Sequence, residues 1–289
     1  MQDFYNSYEK LLSLTNLQIR QHTDSKAELE KSLQRMRDFL HLIGSPEKKL
    51  KFIHVAGTSG KGSVLNYLHQ IWLADNRNVA TYTSPHTSSF LERFRVNEAL
   101  IDPRLLTQCM DDLYDYYETF LDQEKGILSF FELSTCLALY AFQKAGVEWC
   151  LLEVGCGGRF DATNVIPTPA VTIITNIDKD HTEILGSSLS DIAYEKAGVI
   201  KKDATVYCGE NRSKLKKVFM HEAAKKDAIL FFIQPPNKNI VHLDLGIYQQ
   251  HNAMLANSAA CEIGIDEKII KKALDHSKSM PCRFEIIQK

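Results

Sequence analysis

At 289 residues the chain can bury a sizeable core and has room for one large or two small domains. With 44% apolar residues, 24% charged residues and a net charge of −2, it offers no electrostatic case for nucleic acid or an anionic membrane. No apolar run approaches the roughly 20 residues of a membrane-spanning helix, and the start Met1-Gln-Asp-Phe-Tyr-Asn6 lacks the basic and apolar regions of a secretory signal. Seven scattered cysteines with no C-x-x-C pair suit reduced, mostly buried thiols in a cytoplasmic protein, not a disulfide framework or a zinc site.

Residues 1–50 read as helical, with Leu29, Leu33, Met36, Phe39, Leu40 and Ile43 recurring at three- and four-residue steps until Gly44-Ser-Pro46. That region is too short for a separate substrate domain of usual size. An apolar strand, Phe52 to Ala56, then enters the stretch His54-Val-Ala-Gly-Thr-Ser-Gly-Lys-Gly-Ser63. Gly57 and Gly60 let the backbone fold back, and Ser63 opens an amphipathic segment, Val64 to Leu73. Strand, glycine loop, lysine and hydroxyl at a helix start make a phosphate cradle, in which backbone N–H groups and the helix dipole favour an anion. Lys61 supplies a mobile positive charge, and the Ser63 hydroxyl can sit on Mg²⁺. The spacing departs from G-x-x-x-x-G-K-[ST], because Gly62 separates Lys61 from Ser63. The plainer alternative is a glycine-rich connection without a ligand; the lysine and serine favour nucleotide phosphate.

Val79 to Thr83 forms a second short strand running into Ser84-Pro85-His86, and Arg93 to Val96 a third within a polar loop. Asp102-Pro103 opens a helix reaching about Leu121, with proline at the first helical position. Its Tyr114, Tyr116 and Tyr117 fit an amphipathic face against the core better than a ligand surface. Phe130-Phe131-Glu132 starts an apolar helix to about Ala145, followed by a buried strand, Trp149 to Val154, and a strand from Ala170 to Thr175. A helix from about Leu189 to Ala197, a strand about Val206, a helix from Lys214 to Lys225 and a strand from Ile229 to Ile233 follow. After Pro235-Pro236, two helices, Gln249 to Gly264 and Glu267 to His276, complete the pattern. Alternating strands and helices predict an α/β fold with a mostly parallel sheet covered on both faces. Ligands of such sheets bind at the carboxyl ends of the strands. There fall Lys61 and Ser63, Ser84 to His86, Glu153, and Asp180-His181.

Glu153 ends an otherwise apolar strand, so its carboxylate must be solvated, paired or metal-bound. Beside a phosphate loop a Mg²⁺ ligand and a structural ion pair both fit. His181 reads as polar loop surface, imidazole being an unusual Mg²⁺ ligand, and Lys196 as an exposed helix lysine. Asn176-Ile-Asp-Lys-Asp180 has its lysine in the wrong place for the guanine-reading N-K-x-D.

Six segments nevertheless occur together and in order: Val55-Ala-Gly-Thr-Ser-Gly-Lys-Gly-Ser63, Ser84-Pro-His86, Phe131-Glu132, Glu153-Val-Gly-Cys-Gly-Gly-Arg-Phe-Asp-Ala-Thr-Asn164, Asp180-His-Thr-Glu-Ile-Leu-Gly186 and Glu195-Lys-Ala-Gly198. The set resembles folylpolyglutamate synthase/dihydrofolate synthase, a branch of the Mur ligase superfamily, over nearly the whole chain as far as Glu285. The resemblance implies an ATP-binding, catalytic unit over 1–289, with N-terminal helices over 1–50 and a P-loop NTPase-like α/β region of Mur ligase central-domain type over 51–289. It implies an ATP-dependent amide ligase that activates a substrate carboxylate as an acyl phosphate for attack by glutamate. The expected substrates are ATP, glutamate, and dihydropteroate or a folate; a monomer without nucleic acid or membrane partners is expected.

By the same resemblance Gly57, Thr58, Ser59, Gly60, Lys61, Gly62 and Ser63 bind ATP, with Asn252 of Gln249-Gln-His-Asn252 and Arg283 of Met280-Pro-Cys-Arg-Phe-Glu285. Ser63 and Glu153 would hold one Mg²⁺, and Glu153, His181 and a carbamylated Lys196 a second; Lys61, His181 and Lys196 form the catalytic set. Carbamylation would turn a cation repelled by Mg²⁺ into a carboxylate-like ligand. The pterin pocket maps onto Ser84, His86, Ser129, Phe131, Asp161 and Ala162, where an aromatic face and a carboxylate suit a ring bearing amino and N–H groups. Two departures stand out: Ser59 replaces the usual Asn, and Cys282 replaces a glycine. Family members continue into a smaller α/β domain, so the expectation for 1–289 alone is an impaired ligase lacking one wall of the ATP site. A non-catalytic nucleotide-binding or regulatory domain is the alternative reading.

Overall fold

The computed structural model describes residues 2–15, 25–121, 123, 126–236 and 246–277. Two helices come first, α1 (Gln2–Ser13) and α2 (Lys26–Leu42). Ser25 and Glu28 close a capping box at the start of α2, and its buried Leu33, Met36, Phe39 and Leu40 lie on the face the spacing predicts. A 3-10 turn over Pro46–Lys49 leads into β1 (Lys51–Ala56), buried from Phe52 onward, as a central parallel strand must be. Then follow α3 (Lys61–Ala74), β2 (Val79–Tyr82), β3 (Phe94–Val96), β4 (Ala99–Leu100), α4 (Pro103–Leu121) and α5 (Phe130–Lys144). The remainder is β5 (Trp149–Glu153), β6 (Val171–Ile174), α6 (Thr182–Leu185), α7 (Leu189–Ala197), β7 (Thr205–Cys208), α8 (Ser213–Lys225), β8 (Ile229–Phe232), α9 (Ile247–Glu262) and α10 (Glu267–Asp275).

The eight strands form one sheet in the order β4-β3-β2-β5-β1-β6-β7-β8. Parallel pairing runs from β2 to β8, while β3 and β4 add an antiparallel edge, of which β4 was not foreseen in the sequence. β1 lies between β5 and β6, with Val55 opposite both Glu153 and Ile173. The chain crosses to opposite sides after β1 and β5, so the carboxyl ends of these strands form the switch point at which doubly wound sheets bind ligands.

Alternation along the strands divides the core. Phe52, Ala80, Tyr82, Cys150 and Leu152 pack against α2, α4 and α5. Ile53, Val55, Leu151, Val171 and Ile173 pack against α3, α9 and α10 on the other face. Ala56, Val154, Ile174, Val206 and Cys208 share a third cluster with α7 and α8. Sandwiched between the sheet and α9 and α10, α3 is buried on nearly every side from Val64 to Trp72, whereas the sequence suggested an amphipathic helix. Of the three tyrosines expected against the core, Tyr117 is buried and its hydroxyl accepts from the Leu128 N–H at 2.5 Å, Tyr114 is half-buried, and Tyr116 is exposed because it lies on the solvent side of α4. Among the described cysteines Cys109, Cys136, Cys150 and Cys208 are buried, Cys156 is half-buried and Cys261 exposed. Among the described residues no helix is long and apolar enough to cross a membrane.

Phe39 meets Tyr117 and Phe120 edge-on, with centroids 5.4 and 5.3 Å away, and is fully buried. Phe39→Ala should lower unfolding free energy by about 3–5 kcal/mol in urea titrations, and a loss under about 1 kcal/mol would show that α2 is not anchored there.

Candidate functional site

The loop between β1 and α3 is shaped by its neighbours. Gly57 (φ 139°) lies so close to β6 that a Cβ there would fall 1.8 Å from Thr175 Oγ1. Gly60 (φ 85°) is the left-handed N-cap of α3, and a Cβ there would meet the Asn252 amide at 2.5 Å. Only glycine fits these backbones without strain. The first α3 bond runs from Val64 N–H to Gly60 O at 2.9 Å, leaving the N–H groups of Lys61, Gly62 and Ser63 without an intrahelical acceptor. That is the donor array of an anion cradle.

The tip of β6 braces this loop. Thr175 Oγ1 donates to Ser59 O at 2.6 Å, and Asn176 Oδ1 accepts from Ser59 N–H at 2.9 Å. Thr58 N–H donates to Asn176 O at 2.9 Å, and Thr58 Oγ1 accepts from Asp178 N–H at 3.0 Å. Asn176 and Asp178, set aside in the sequence as a failed base-reading motif, thus hold the glycine loop. A small polar residue just past a strand neighbouring the loop was the available signal.

Lys61 Nζ donates to Gly57 O at 3.1 Å, and Lys196 Nζ reaches the same oxygen at 2.9 Å. Lys196 therefore corrects the sequence expectation of an exposed helix lysine: it is 2% exposed. Ser188 and Asp191 cap α7 in a box, and the helix packs through Ile192, Ala193 and Ala197, which turns Lys196 inward. Burial first, and then the charge of Lys61, pull its pKa down to about 8, with Asp180 acting in the opposite sense.

Glu153 is 2% exposed at the tip of β5, and its Oε2 accepts from Ser84 N–H at 3.0 Å. Its register partner Val55 and its neighbour Leu151 face α3, so alternation puts the carboxylate on the side of the sheet that carries the glycine loop. Ser63 Oγ accepts from Gln249 Nε2 at 3.3 Å, and Gln249 Oε1 in turn accepts from Asn252 Nδ2 at 3.3 Å. The start of α9 thus abuts the loop. Arg283 lies outside the described residues, as does Cys282.

The residues expected around a pterin occupy the neighbouring strand ends. A Cβ on Gly155 would meet Phe131 Cζ at 2.4 Å and Asp161 Oδ2 at 3.2 Å, so ring and carboxylate share one small space. Asp161 caps a 3-10 turn over Ala162–Val165, accepting from Thr163 N–H at 2.9 Å and Cys156 N–H at 2.8 Å; Ala162 is buried beside it. Burial raises its pKa, and the donated hydrogen bonds from Cys156 and Thr163 oppose that rise. Ser129 Oγ is engaged in capping, accepting from Glu132 N–H at 3.3 Å. His86 Nδ1 accepts from Arg93 Nε at 2.9 Å, and burial with the Arg93 charge lowers its pKa. His181 sits apart from this packing, its side chain 46% exposed and Nε2 3.5 Å from Asp180 Oδ1. It adopts the left-handed region (φ 46°), an uncommon backbone for a non-glycine residue. Among the described residues no three His, Cys, Asp or Glu side chains cluster closely enough to hold a metal unaided.

Residues 55–263 match the Mur ligase middle domain. The dihydrofolate synthase/folylpolyglutamate synthase of Bacillus subtilis is 36% identical over 208 residues, 72% of this chain and 48% of that protein. The apo form of L. casei FPGS superposes with a TM-score of 0.87 at 26% identity, covering 99% of this chain and 74% of that one. An FPGS–AMPPCP–folate complex gives a TM-score of 0.84 at 26% identity, covering 96% and 72%. The chain spans about half the length of the curated relatives it matches first. On the matched domain, the sheet order and the loop geometry, the chain belongs to the Mur ligase family, in its folylpolyglutamate synthase/dihydrofolate synthase branch.

Proposed function

We propose that this chain carries the ATP and pteridine sites of a ligase that joins L-glutamate to dihydropteroate, to tetrahydrofolate (poly)glutamates, or to both. The observation that carries the reading is the convergence of Lys61 and Lys196 on Gly57 O, inside a glycine loop at the end of a central strand. The Lys61 ammonium, beside the N–H groups of Lys61, Gly62 and Ser63 that have no intrahelical acceptor, suits a polyphosphate, and Lys196 on the same carbonyl lies at the edge of that cradle. The relatives' names and the folate and AMPPCP held by the similar complex support the same substrates.

In this reading the N–H groups of Lys61, Gly62 and Ser63 bind the ATP phosphates, and Lys61 Nζ leaves the carbonyls of Gly57 and Thr58 to follow the transferring phosphoryl group. Asn252 lies against Gly60 at the nucleotide side of the loop. Phe131 and Asp161 hold the pteridine ring, so that its distant carboxylate attacks the terminal phosphorus and ADP leaves. The glutamate amino nitrogen then attacks the acyl carbon, the C–N bond forms, and phosphate departs with the acyl oxygen. The donor set fits Mg²⁺: it takes one or two carboxylates with a hydroxyl, water and substrate phosphates, so a buried Glu153 and Ser63 suffice without a protein-only cluster. When bound, Mg²⁺ would offset charge on the transferring phosphoryl group. A second ion would be held by Glu153, His181 and Lys196 as its carbamate. The depressed pKa and burial of Lys196 supply the neutral amine that CO₂ needs.

Titration calorimetry with AMPPCP and dihydropteroate, each with and without Mg²⁺, tests the reading. Metal-dependent nucleotide binding together with pteridine binding is expected; nucleotide binding with no pteridine binding would favour a regulatory P-loop domain instead. Lys61→Ala should weaken AMPPCP about 10- to 100-fold, the worth of one charge-assisted hydrogen bond, while leaving dihydropteroate affinity unchanged. Equal loss of both ligands would contradict the division of the site. For Lys196, ¹³CO₂-enriched buffer should give a carbamate resonance that vanishes in Lys196→Ala. A spectrum identical in the two proteins would remove the carbamate.

A further inference from the structure

His54 is a wholly buried imidazole in the middle of β1. It lies on the same side of the strand as Phe52 and Ala56, at the seam between the cluster under α2, α4 and α5 and the one under α7 and α8. Its Nε2 is 2.9 Å from Thr163 Oγ1, and that oxygen is 2.5 Å from Asp161 Oδ1. Thr163 N–H reaches the same carboxylate oxygen at 2.9 Å. A carboxylate accepts and cannot donate, so the Thr163 hydroxyl proton points to Asp161 and its lone pair to His54. The imidazole must then carry its proton on Nε2, and Nδ1, which has no hydrogen-bond partner among the described residues, is the bare nitrogen. Burial first, then the Lys201 charge, pull the His54 pKa down to about 3, which keeps the ring neutral with a single N–H to place. Thr172, the register partner of His54 on β6, is likewise wholly buried, so two polar side chains lie side by side in the middle of the sheet.

We propose that His54 is a positioning residue for ligand recognition: through Thr163 it fixes the Asp161 carboxylate as a pure acceptor facing the space shared with Phe131. The relay rests on the pteridine reading of that pocket, because an acceptor beside an aromatic face selects a flat ring presenting N–H groups. Without the Nε2 proton, the Thr163 hydroxyl is free to rotate and Asp161 Oδ1 loses a donor. A purely structural role for His54 would require only that its volume be filled.

The two cases separate in ligand affinity. His54→Phe fills similar volume and cannot donate, whereas His54→Gln can place an amide N–H near the original Nε2. His54→Phe and Thr163→Val should each weaken dihydropteroate about 10-fold by calorimetry, the worth of about one hydrogen bond, with AMPPCP affinity held within about 2-fold. The double variant should be no weaker than Thr163→Val alone, and His54→Gln should stay within about 3-fold of the parent chain. Undiminished dihydropteroate affinity in His54→Phe, additive losses in the double variant, or failure of His54→Gln to restore affinity in a folded protein would overturn the proposal. Nitrogen-15 NMR of the unaltered chain decides the matter even where a variant does not fold: the Nε2–H tautomer is expected, and Nδ1–H would refute the relay. If the chain shows the Nε2–H tautomer yet binds no dihydropteroate, the pteridine reading fails and the hydrogen-bond relay stands.

Discussion

The close approach of Gly57 to Thr175 is the constraint on which the rest of the site depends. With no Cβ in the way, the loop after β1 settles onto the tip of β6, where Thr175 and Asn176 take up its backbone groups and the Asp178 N–H meets the Thr58 hydroxyl. That docking leaves Gly57 O to accept from Lys61 and Lys196. Any side chain at 57 would lift the loop from β6, and the cradle would lose its floor.

Burial then gives each polar group a defined task. Lys196 is pressed inward by α7, and Glu153 is carried to the sheet's end by an apolar strand and held by the Ser84 N–H. Such groups are unfavourable in an interior unless paired. Here they gather at the switch point of a doubly wound sheet, the place where such sheets bind ligands. The neighbouring pocket works on a smaller scale. Asp161 is held by backbone and hydroxyl donors, so its direction is set before any ligand arrives.

Much of the fold was legible in the sequence because long periodic segments and strong caps agree with one another. The Ser25–Glu28 and Ser129–Glu132 boxes, Pro103 at a helix start and the apolar run of β5 all point to single local structures. The two-residue β4 is too short to leave a pattern. Burial of α3 on both sides escaped notice because Asn66, Tyr67, His69 and Gln70 give it a polar look in isolation. In the candidate site, local chemistry pointed to the glycine loop and left Glu153 open between a metal ligand and a structural ion pair. It misjudged Lys196, whose burial is decided by packing of α7 and not by its neighbours in sequence. Ordered motifs across the chain were needed to single that residue out. The brace from Asn176 and Asp178, and the link from His54 to Asp161, join residues far apart in sequence, so only the folded sheet reveals them.

In the proposed reaction the nucleotide phosphates bind beside the Gly57 carbonyl and the two lysines that meet on it. A crystal structure of the chain soaked with AMPPCP and Mg²⁺ would locate those phosphates. Phosphate oxygens should lie within hydrogen-bond distance of the N–H groups of Lys61, Gly62 and Ser63, with Lys61 Nζ moved from Gly57 O onto the phosphates. A nucleotide bound elsewhere, or phosphates in the loop with Lys61 still on Gly57 O, would contradict that placement.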